Sequence, residues 1–497
     1  MIIYNLKQLL LPLCKINIPN VILHGLTHDS RNVNPQDLFI AINGHKQNGR
    51  QYISHAISNG AVAILVENME IRQSVNINYY NKVPIIYINH LQKYLSLLAG
   101  EFYQHPAKNI QLIGVTGTNG KTTITHLIAQ WTKYIENQDM AVMGTIGNGI
   151  LNNIKPSINT TNSAIDIQQE LYSLTHKKIK LVAIEVSSHA LVQHRVASLP
   201  FTATVFSNLS RDHLDYHLTM KNYKYAKHLL FTHHQSNNQI INVDDPVGLE
   251  WITTLSNPCA VSVNKNIPIN WEGKWLQSKN IVQQKNNTLI NFTSSWGKGI
   301  LNSPFIGIFN VTNIMLAMAT LLMIGYPLDI ILNNSKYLSH ICGRMEFFNI
   351  PGYPTVIVDY AHTPDALKKV LNTIKLYCKG KIWCIFGCGG ERDEGKRPLM
   401  GHVAEQYSDY ILLTADNPRN ENLKNIFNDI LHGCLNKKNI FLIPERQKAI
   451  IHAITQANKD DYILIAGKGH ETYQIIGNNK FYYSDRIYVA NLLGVRI

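Results

Sequence analysis

The chain has little of what would staple or anchor a protein. Its seven cysteines (Cys14, Cys259, Cys342, Cys378, Cys384, Cys388, Cys434) are odd in number and scattered, with no Cys-x-x-Cys pair. That pattern excludes a disulfide framework and a structural zinc site, and it points to a reducing compartment. No stretch approaches the roughly 20 apolar residues of a membrane span. The leader-like run Leu9-Leu-Leu-Pro-Leu-Cys14 is short and Lys15 follows it directly, so no signal segment is expected and the protein is expected to be cytoplasmic. Acid is in deficit: 33 Asp+Glu stand against 46 Lys+Arg, a formal charge of +13. Such a balance suits anionic partners. No long Lys/Arg run or aromatic-interleaved basic stretch occurs, which argues against nucleic acid. Internal repeats and low-complexity tracts are also missing.

What is present is an α/β pattern. A length of 497 residues exceeds what one core usually serves, so two to four domains are expected. Up to about residue 90, strand-like runs at Asp37-Leu-Phe-Ile-Ala-Ile42, Ala61-Val-Ala-Ile-Leu-Val66 and Val83-Pro-Ile-Ile-Tyr-Ile88 alternate with a helical patch over Tyr52 to Asn59. Thr27-His-Asp-Ser-Arg31 and Gly44-His-Lys-Gln-Asn-Gly49 read as loops. A helical pattern over Leu91 to Phe102, then Pro106, marks a boundary. Further strands are expected at Leu181 to Val186, Ala203 to Phe206 and Gln239 to Val243, with helices between them, as a mostly parallel sheet requires. From Thr355-Val-Ile-Val-Asp-Tyr360 a third α/β segment begins, with strands at Lys381 to Phe386, Tyr410 to Thr414, Ile440 to Ile443 and Tyr462 to Ile465. The expected fold is therefore α/β in three domains: a small N-terminal domain (1–90), a central phosphate-loop domain with a parallel sheet (91–339) and a Rossmann-like C-terminal domain (340–497).

The strongest single stretch is Leu112-Ile-Gly-Val-Thr-Gly-Thr-Asn-Gly-Lys-Thr-Thr-Ile124. It reads as strand, glycine turn and helix, the helix marked by Ile124, Leu127, Ile128, Trp131 and Ile135 on one face. Such a turn aims backbone N–H groups and a helix N-terminus at one point, which holds phosphate oxygens; Lys121 adds a charge and Thr122 a hydroxyl suited to Mg²⁺. The first glycine of the standard spacing falls on Val115, so the bland alternative is a glycine turn carrying a surface lysine. Glu185 ends its expected strand and His213 follows the next; at the carboxyl ends of a doubly wound sheet both would face the same crevice as the loop. Three further loops fall at strand carboxyl ends: Gly387-Cys-Gly-Gly-Glu-Arg-Asp393, Asp416-Asn-Pro-Arg419 and Gly467-Lys-Gly-His-Glu471.

Gly117-Thr-Asn-Gly-Lys-Thr-Thr123, Leu26-x-x-Asp-Ser-Arg31, Asn159-Thr-Thr161, Glu185-Val-Ser-Ser-His189, Asn208-Leu-Ser-Arg-Asp-His-Leu-Asp215, Gly343-Arg-Met-Glu346, Asp359-Tyr-Ala-His-Thr-Pro364 and Asp416-Asn-Pro-Arg419 together resemble the muramyl peptide (Mur) ligases. These are ATP-dependent amino-acid-adding enzymes of peptidoglycan synthesis, and the resemblance covers essentially the whole chain. It implies that the ATP γ-phosphoryl moves onto a carboxylate, that an amine attacks the acyl phosphate, and that an amide, ADP and phosphate leave. Positioning and charge neutralisation carry such a phosphoryl step. No Ser or Cys stands in an activating setting, which agrees.

The resemblance also implies roles. Gly117, Thr118, Asn119, Gly120, Lys121, Thr122 and Thr123 would bind ATP, with Asn310, Arg344, Asp359 and His362 completing that site. Thr122, Glu185 and His213 would serve Mg²⁺, and Lys227 would be carbamylated (N6-carboxylysine) to join them; without the family it would be taken as an exposed helix lysine. Lys121, Lys227, Glu185 and His213 are the expected catalytic set. The UDP-N-acetylmuramoyl-L-alanyl-D-glutamate site would fall on His28, Ser30, His45, Lys46, Gln47, Asn159, Thr160, Thr161, Ser187, Gln193 and Arg195. Three positions depart from the family: His28 where an apolar residue is usual, Asn48 where Asp is common, and Ala190 where Gly is common. The second substrate would be meso-2,6-diaminopimelate, on Arg392, Asp416, Asn417, Pro418, Arg419, Gly467 and Glu471. Diaminopimelate and lysine differ by one carboxylate, which a guanidinium fork can pair bidentately. A monomer with small-molecule substrates, no nucleic acid and no membrane span is expected. Folylpolyglutamate synthetase shares the chemistry but lacks the uridine-binding N-terminal domain; a nucleic-acid-dependent ATPase and a non-catalytic nucleotide-binding module are the other readings.

Overall fold

The computed structural model describes residues 2–13, 17–44, 48–68, 75–234, 236–256, 258–268, 271–284 and 287–496. Cys14 and the expected substrate ligands His45, Lys46 and Gln47 lie outside them. The chain forms two compact units: Met1–Gly114 with Gln138–Thr204 and Ala226–Asn237, and Val115–Asn137 with Val205–Tyr225 and Asn238–Ile497. The strands Gln111–Thr116 and Ala203–Phe206 each pass from one unit to the other.

The first unit opens with a five-stranded sheet in the order Gly25–Thr27, Asp37–Ala41, Ala63–Asn68, Val83–Asn89, Val75–Tyr80. All neighbours pair in parallel except the last pair, which is antiparallel. Asp37–Ala41 is buried at every position, the pattern of a parallel strand covered on both faces. One face carries Leu38, Ile40, Leu65, Ile86 and helix Leu91–Phe102; the other carries Phe39, Ile64, Val66 and Ala56. Two details differ from the expectation. Thr27 closes a strand, and Ser30–Asn32 is a 3₁₀ turn whose cap, the Asp29 carboxylate, accepts the Arg31 N–H at 3.0 Å. Val75–Tyr80 is an additional strand, whose largely exposed edge position leaves no apolar run to read. Later in this unit Leu181–Glu185 pairs in parallel with Ala141–Met143, which continues antiparallel to Asn148–Ile150 and Asn153–Lys155.

In the second unit the phosphate-loop helix Lys121–Glu136 packs on helix Ile308–Met323. Trp131 is fully buried and its indole N–H donates to the Ile331 carbonyl at 2.9 Å; Gln130 and Ser339 exchange two hydrogen bonds. The strands Gln239–Asn242, Cys259–Ser262 and Trp275–Gln283 run parallel as a mostly parallel sheet requires, but Trp275–Gln283, Thr288–Ser294 and Gly297–Ser303 form an antiparallel meander that the sequence pattern does not reveal. One side of Thr288–Ser294 is buried and the other only partly so, the alternation of a sheet half open to water.

The C-terminal sheet has the order Glu346–Phe348, Thr355–Asp359, Tyr462–Ala466, Ile382–Phe386, Tyr410–Leu413, Ile440–Leu442. Only the first strand is antiparallel. Helices Pro364–Lys375, Arg397–Tyr407 and Leu423–Leu431 bury Leu367, Val370, Met400 and Ile426 on one face; Arg446–Gln456 and Asp485–Leu492 bury Ala449, Ile450 and Val489 on the other. That is the doubly wound arrangement expected, and ligands bind such sheets at the strand carboxyl ends. Just there, Arg446 donates to both carboxylate oxygens of Asp485 and to the Ala466 carbonyl, all at 2.8 Å. The pair is completely buried, and the Tyr483 hydroxyl adds a bond to Asp485.

Removing one member of a buried pair strands the other, at a cost of about 3–5 kcal/mol. Arg446→Met is therefore expected to lower the unfolding free energy in urea by about that amount, and adding Asp485→Leu is expected to restore most of it; a double variant no better than the single one would contradict the pairing. A second outcome concerns His126 on the phosphate-loop helix, whose imidazole is pushed down to about 4 by burial and then by Arg344. From about pH 6.5 down to about 4 the unfolded chain binds a proton that the folded chain refuses. Stability therefore falls as the solution is acidified through that window, by roughly 1.4 kcal/mol for each tenfold rise in proton concentration. His126→Leu is expected to flatten that acid limb; identical pH slopes for variant and wild type would contradict it.

Candidate active site

The phosphate loop of the second unit is fixed by what its backbone touches. Gly117 and Gly120 have φ of 146° and 89°, and a Cβ on them would lie 1.9 Å from Ser207 Oγ and 2.4 Å from Asn313 Oδ1. Only glycine permits both the conformation and the approach. The loop is then clamped by side chains: Asn119 N donates to Asn208 Oδ1, and Asn208 Nδ2 donates back to Asn119 O, both at 3.0 Å. Ser207 Oγ donates to Asn119 O at 2.6 Å, and Thr118 Oγ1 accepts the Ser210 N–H at 3.0 Å and lies 3.1 Å from the Tyr223 hydroxyl. Lys121 is half-buried, and its ammonium donates to the carbonyls of Gly117 and Thr118 at 2.9 Å. Thr122 and Thr123 are buried in the first helical turn. A surface lysine on an incidental turn is thereby excluded.

Arg344 donates to Thr122 Oγ1 at 2.8 Å and stacks its guanidinium 4.3 Å from the centre of the Tyr360 ring. Asp359 supports that segment by accepting the N–H groups of Met345 and Ala361 at 2.7 Å, while burial raises its carboxyl above the ordinary range. Asn310 donates to Ile306 O at 2.9 Å and accepts from Asn313 at 3.4 Å, so it reaches the loop through Asn313. Asn119 Nδ2 also donates to Asp365 Oδ2 at 3.2 Å, at the start of helix Pro364–Lys375.

Beside the loop is a buried acid that the sequence alone does not single out. Asp212 lies 3.2 Å from Lys396 Nζ and 3.5 Å from the Nε2 atoms of both His213 and His362. Burial pushes its carboxyl up, but Lys396, His213 and His362 outweigh burial and hold it well below the usual carboxylate range. Next to it Arg211 forms a two-bond pair with Asp393 at 3.1 and 3.2 Å. In the sequence Asp212 is one member of a longer motif, Lys396 belongs to none, and nothing assigns Asn208 or Asn313 a role. The density of polar residues from Asn208 to Asp215 is the available signal.

A third cluster of this unit gathers at the carboxyl ends of the C-terminal sheet. Arg419 is half-buried at φ 52°, and its guanidinium donates to the Gly390 carbonyl at 2.6 Å and the Asn417 carbonyl at 3.4 Å. No carboxylate pairs with it among the described residues. Burial, and then the neighbouring Arg392, lower its pKa. Asp416 and Asn417 are buried, Asn417 donates to Glu471 at 3.1 Å, and Pro418 is buried with them. Gly467 has φ 110°, and a Cβ there would meet Asp416 Oδ2 at 2.4 Å. Arg392 lies 3.7 Å from Asp215.

The first unit holds a separate polar cluster. Glu185 accepts the Thr145 N–H at 2.8 Å and its hydroxyl at 2.9 Å, and Thr145 Oγ1 lies 3.1 Å from Thr160 Oγ1. Thr161 Oγ1 donates to Glu185 O at 2.7 Å and accepts the Ser187 N–H at 3.0 Å, while Arg195 donates to Thr161 O and to Gln193 Oε1, each at 2.6 Å. Asn159 opens this stretch, with its N–H on Ser157 Oγ. Ser30 is buried with its hydroxyl 3.0 Å from His55 Nδ1, and His28 is exposed after strand Gly25–Thr27. Lys227 is buried in helix Met220–Thr232 rather than exposed. Two of the departures are structurally benign: Asn48 caps the turn Gly49–Tyr52 through Arg50 N as an Asp would, and Ala190 is buried within helix Ser188–Val192.

Comparison with known proteins agrees with this geometry. The Mur ligase family, catalytic domain model matches residues 22–103, the Mur ligase middle domain model residues 115–321, and the Mur ligase, glutamate ligase domain model residues 343–469. A solved structure described as a UDP-N-acetylmuramoyl-L-alanyl-D-glutamate–2,6-diaminopimelate ligase is 31% identical, with a TM-score of 0.67 and 99% of each chain covered. The MurF ligase of Thermotoga maritima in complex with ADP is 18% identical at a TM-score of 0.64, covering 89% of this chain and 93% of its own. The folylpolyglutamate synthase of Mycobacterium tuberculosis complexed with ADP and AMPPCP is 13% identical at 0.62, covering 81% and 95%. The last two show the shared fold. With three matched segments over a glycine-bounded phosphate loop, the chain belongs to the Mur ligase family, three-domain α/β ATP-dependent ligases of peptidoglycan precursor synthesis.

Proposed function

We propose that this chain attaches meso-2,6-diaminopimelate to the D-glutamate of UDP-N-acetylmuramoyl-L-alanyl-D-glutamate, through an acyl phosphate, in the cytoplasm and as a monomer. The observation that carries the choice of amine is Arg419, a half-buried guanidinium held by two carbonyls and paired with no carboxylate among the described residues. A buried cation in that state is complementary to a carboxylate on the incoming substrate. Lysine lacks the remote carboxylate, and diaminopimelate has it. The 31% identical relative named for diaminopimelate supports the same choice.

The reading divides the chain at about residues 90 and 339 into a UDP-substrate domain, a central ATP domain and an amino-acid domain. In the reaction Gly117 to Thr123 hold the triphosphate, with Lys121 on the phosphates, and the carboxylate oxygen of the acceptor attacks the γ-phosphorus while ADP leaves. The amine nitrogen then adds to the acyl carbon, loses its proton and expels phosphate. Arg344, stacked on Tyr360 and bonded to Thr122, would neutralise charge on the nucleotide. Asn310, Asp359 and His362 support that site, and Ser30, Asn159, Thr160, Thr161, Ser187, Gln193 and Arg195, with His28, His45, Lys46 and Gln47, take the UDP substrate. Arg392, Asp416, Asn417, Pro418, Gly467 and Glu471 complete the pocket for the amine.

The residues fit Mg²⁺ carried in with ATP. Among the described residues no three His, Cys, Asp or Glu side chains gather into a cage, and Mg²⁺ needs only one or two protein oxygens when phosphates and waters supply the rest. Thr122 and His213 in the second unit, and Glu185 and carbamylated Lys227 in the first, are each candidates to serve Mg²⁺, which would neutralise charge on the transferring phosphoryl group.

Two outcomes test this. Arg419→Ala is expected to lower kcat/KM for diaminopimelate by roughly a hundredfold while the KM for ATP stays within about twofold; unchanged turnover would refute the assignment. Removing dissolved CO₂ is expected to lower turnover, and bicarbonate to restore it, in the wild type, whereas Lys227→Gln stays inactive in both. A Lys227→Gln variant with wild-type turnover would exclude the carbamate.

A further inference from the structure

Lys468 is completely buried, an unusual position for an ammonium unless its partners justify it. Its Nζ donates to Glu471 Oε2 at 3.0 Å and to Asn417 Oδ1 at 3.2 Å, lies 3.8 Å from Asp416 Oδ1, and stands 5.6 Å from the centre of the Tyr473 ring. The ammonium has three protons and therefore three directions of donation. Each group it meets belongs to a residue of the amine pocket: the cation is hydrogen-bonded to two of them and within ion-pair range of the third.

The acceptors are in turn tied to each other. Asn417 Nδ2 donates to the same Glu471 oxygen at 3.1 Å, and Asn417 Oδ1 also accepts the Ile475 N–H at 2.9 Å. Gln474 donates to the carbonyls of Ala415 and Asp416 at 3.2 and 2.9 Å, and the Arg419 N–H donates to Ile475 O at 3.2 Å. The hairpin Tyr473–Ile476 with Asn479–Tyr482 is thereby stitched onto Asp416 to Arg419. Arg419 is the only one of these groups whose charge is left for a substrate anion. Lys468 is the cation that the carboxylates of Asp416 and Glu471 share.

We propose that Lys468 is the positioning residue of the amine pocket: it touches no substrate, but it sets the orientation of Asp416, Asn417 and Glu471 and so the match to a zwitterionic amino-acid end beside Arg419. The proposal rests on the reading of this pocket as the amine site. With a neutral side chain of similar length at position 468, the carboxylates of Asp416 and Glu471 would lose their shared cation and Asn417 would lose one of its two donors. The pocket would lose its fixed geometry, while among the described residues the contacts of Lys468 are with Asp416, Asn417, Glu471 and Tyr473 and not with the phosphate loop.

The test uses the full chain as wild type, Lys468→Met and Lys468→Gln, with amide formation followed by mass spectrometry at varied diaminopimelate, at varied ATP and with lysine in parallel. The expected result is a KM for diaminopimelate raised about tenfold or more, the effect of one lost charge-assisted contact. The KM for ATP and the kcat at saturating diaminopimelate are expected to stay within about threefold, and the preference over lysine to fall. An unchanged KM for diaminopimelate overturns the proposal, as does a fall in kcat with every KM intact, or failure of both variants to fold, which would make Lys468 structural only. A wild type that couples no diaminopimelate would instead sink the reading of the pocket, and the two failures are told apart by that arm.

Discussion

Everything in the second unit that handles phosphate depends on how closely the backbone at Gly117 and Gly120 approaches Ser207 and Asn313. A single Cβ at either glycine would overlap a side-chain oxygen, and the loop carbonyls are already occupied by Lys121, Ser207 and Asn208. With its carbonyls engaged and its glycines in positive φ, the loop turns directly into the N-terminus of helix Lys121–Glu136. That polarity suits phosphate oxygens.

The same unit brings C-terminal residues to that loop and its neighbours through polar contacts. Arg344 reaches Thr122, Asp365 reaches Asn119, Asp393 takes Arg211, and Lys396 takes Asp212. Four polar contacts of this kind are individually modest, yet those around Asp212 are buried and therefore worth more than surface pairs. They make the phosphate loop, the Asn208–Asp215 segment and the loops after Asp359 and Phe386 interdependent. The proposed reaction needs that dependence, because a phosphoryl group and an amine must reach the same carboxyl group in turn.

Most of the architecture is legible in the sequence because buried parallel strands announce themselves as short β-branched runs. Asp37–Ala41, Leu181–Glu185, Thr355–Asp359 and Tyr462–Ala466 fall where the sequence pattern places them. The antiparallel strands Val75–Tyr80, Thr288–Ser294 and Gly297–Ser303 escape it, since they mix polar and apolar residues on a half-wet face. In the site, residues carrying a motif are visible: the glycine loop, Arg419, Glu185. Residues that act by touching another residue are not. Asp212, Lys396 and Asn313 derive their importance from partners up to 193 positions away (Asn313 beside Gly120), and no local pattern encodes such a pairing. The default for Lys227 is an exposed helix lysine, and its burial is a tertiary fact of the same sort.

The most direct test offers the purified chain ATP and UDP-N-acetylmuramoyl-L-alanyl-D-glutamate with diaminopimelate or with lysine, and weighs the products by mass spectrometry. The account predicts one new amide, with diaminopimelate, accompanied by stoichiometric ADP and phosphate, and little or none with lysine. Equal coupling of lysine, or no ATP cleavage with either amine, would contradict it.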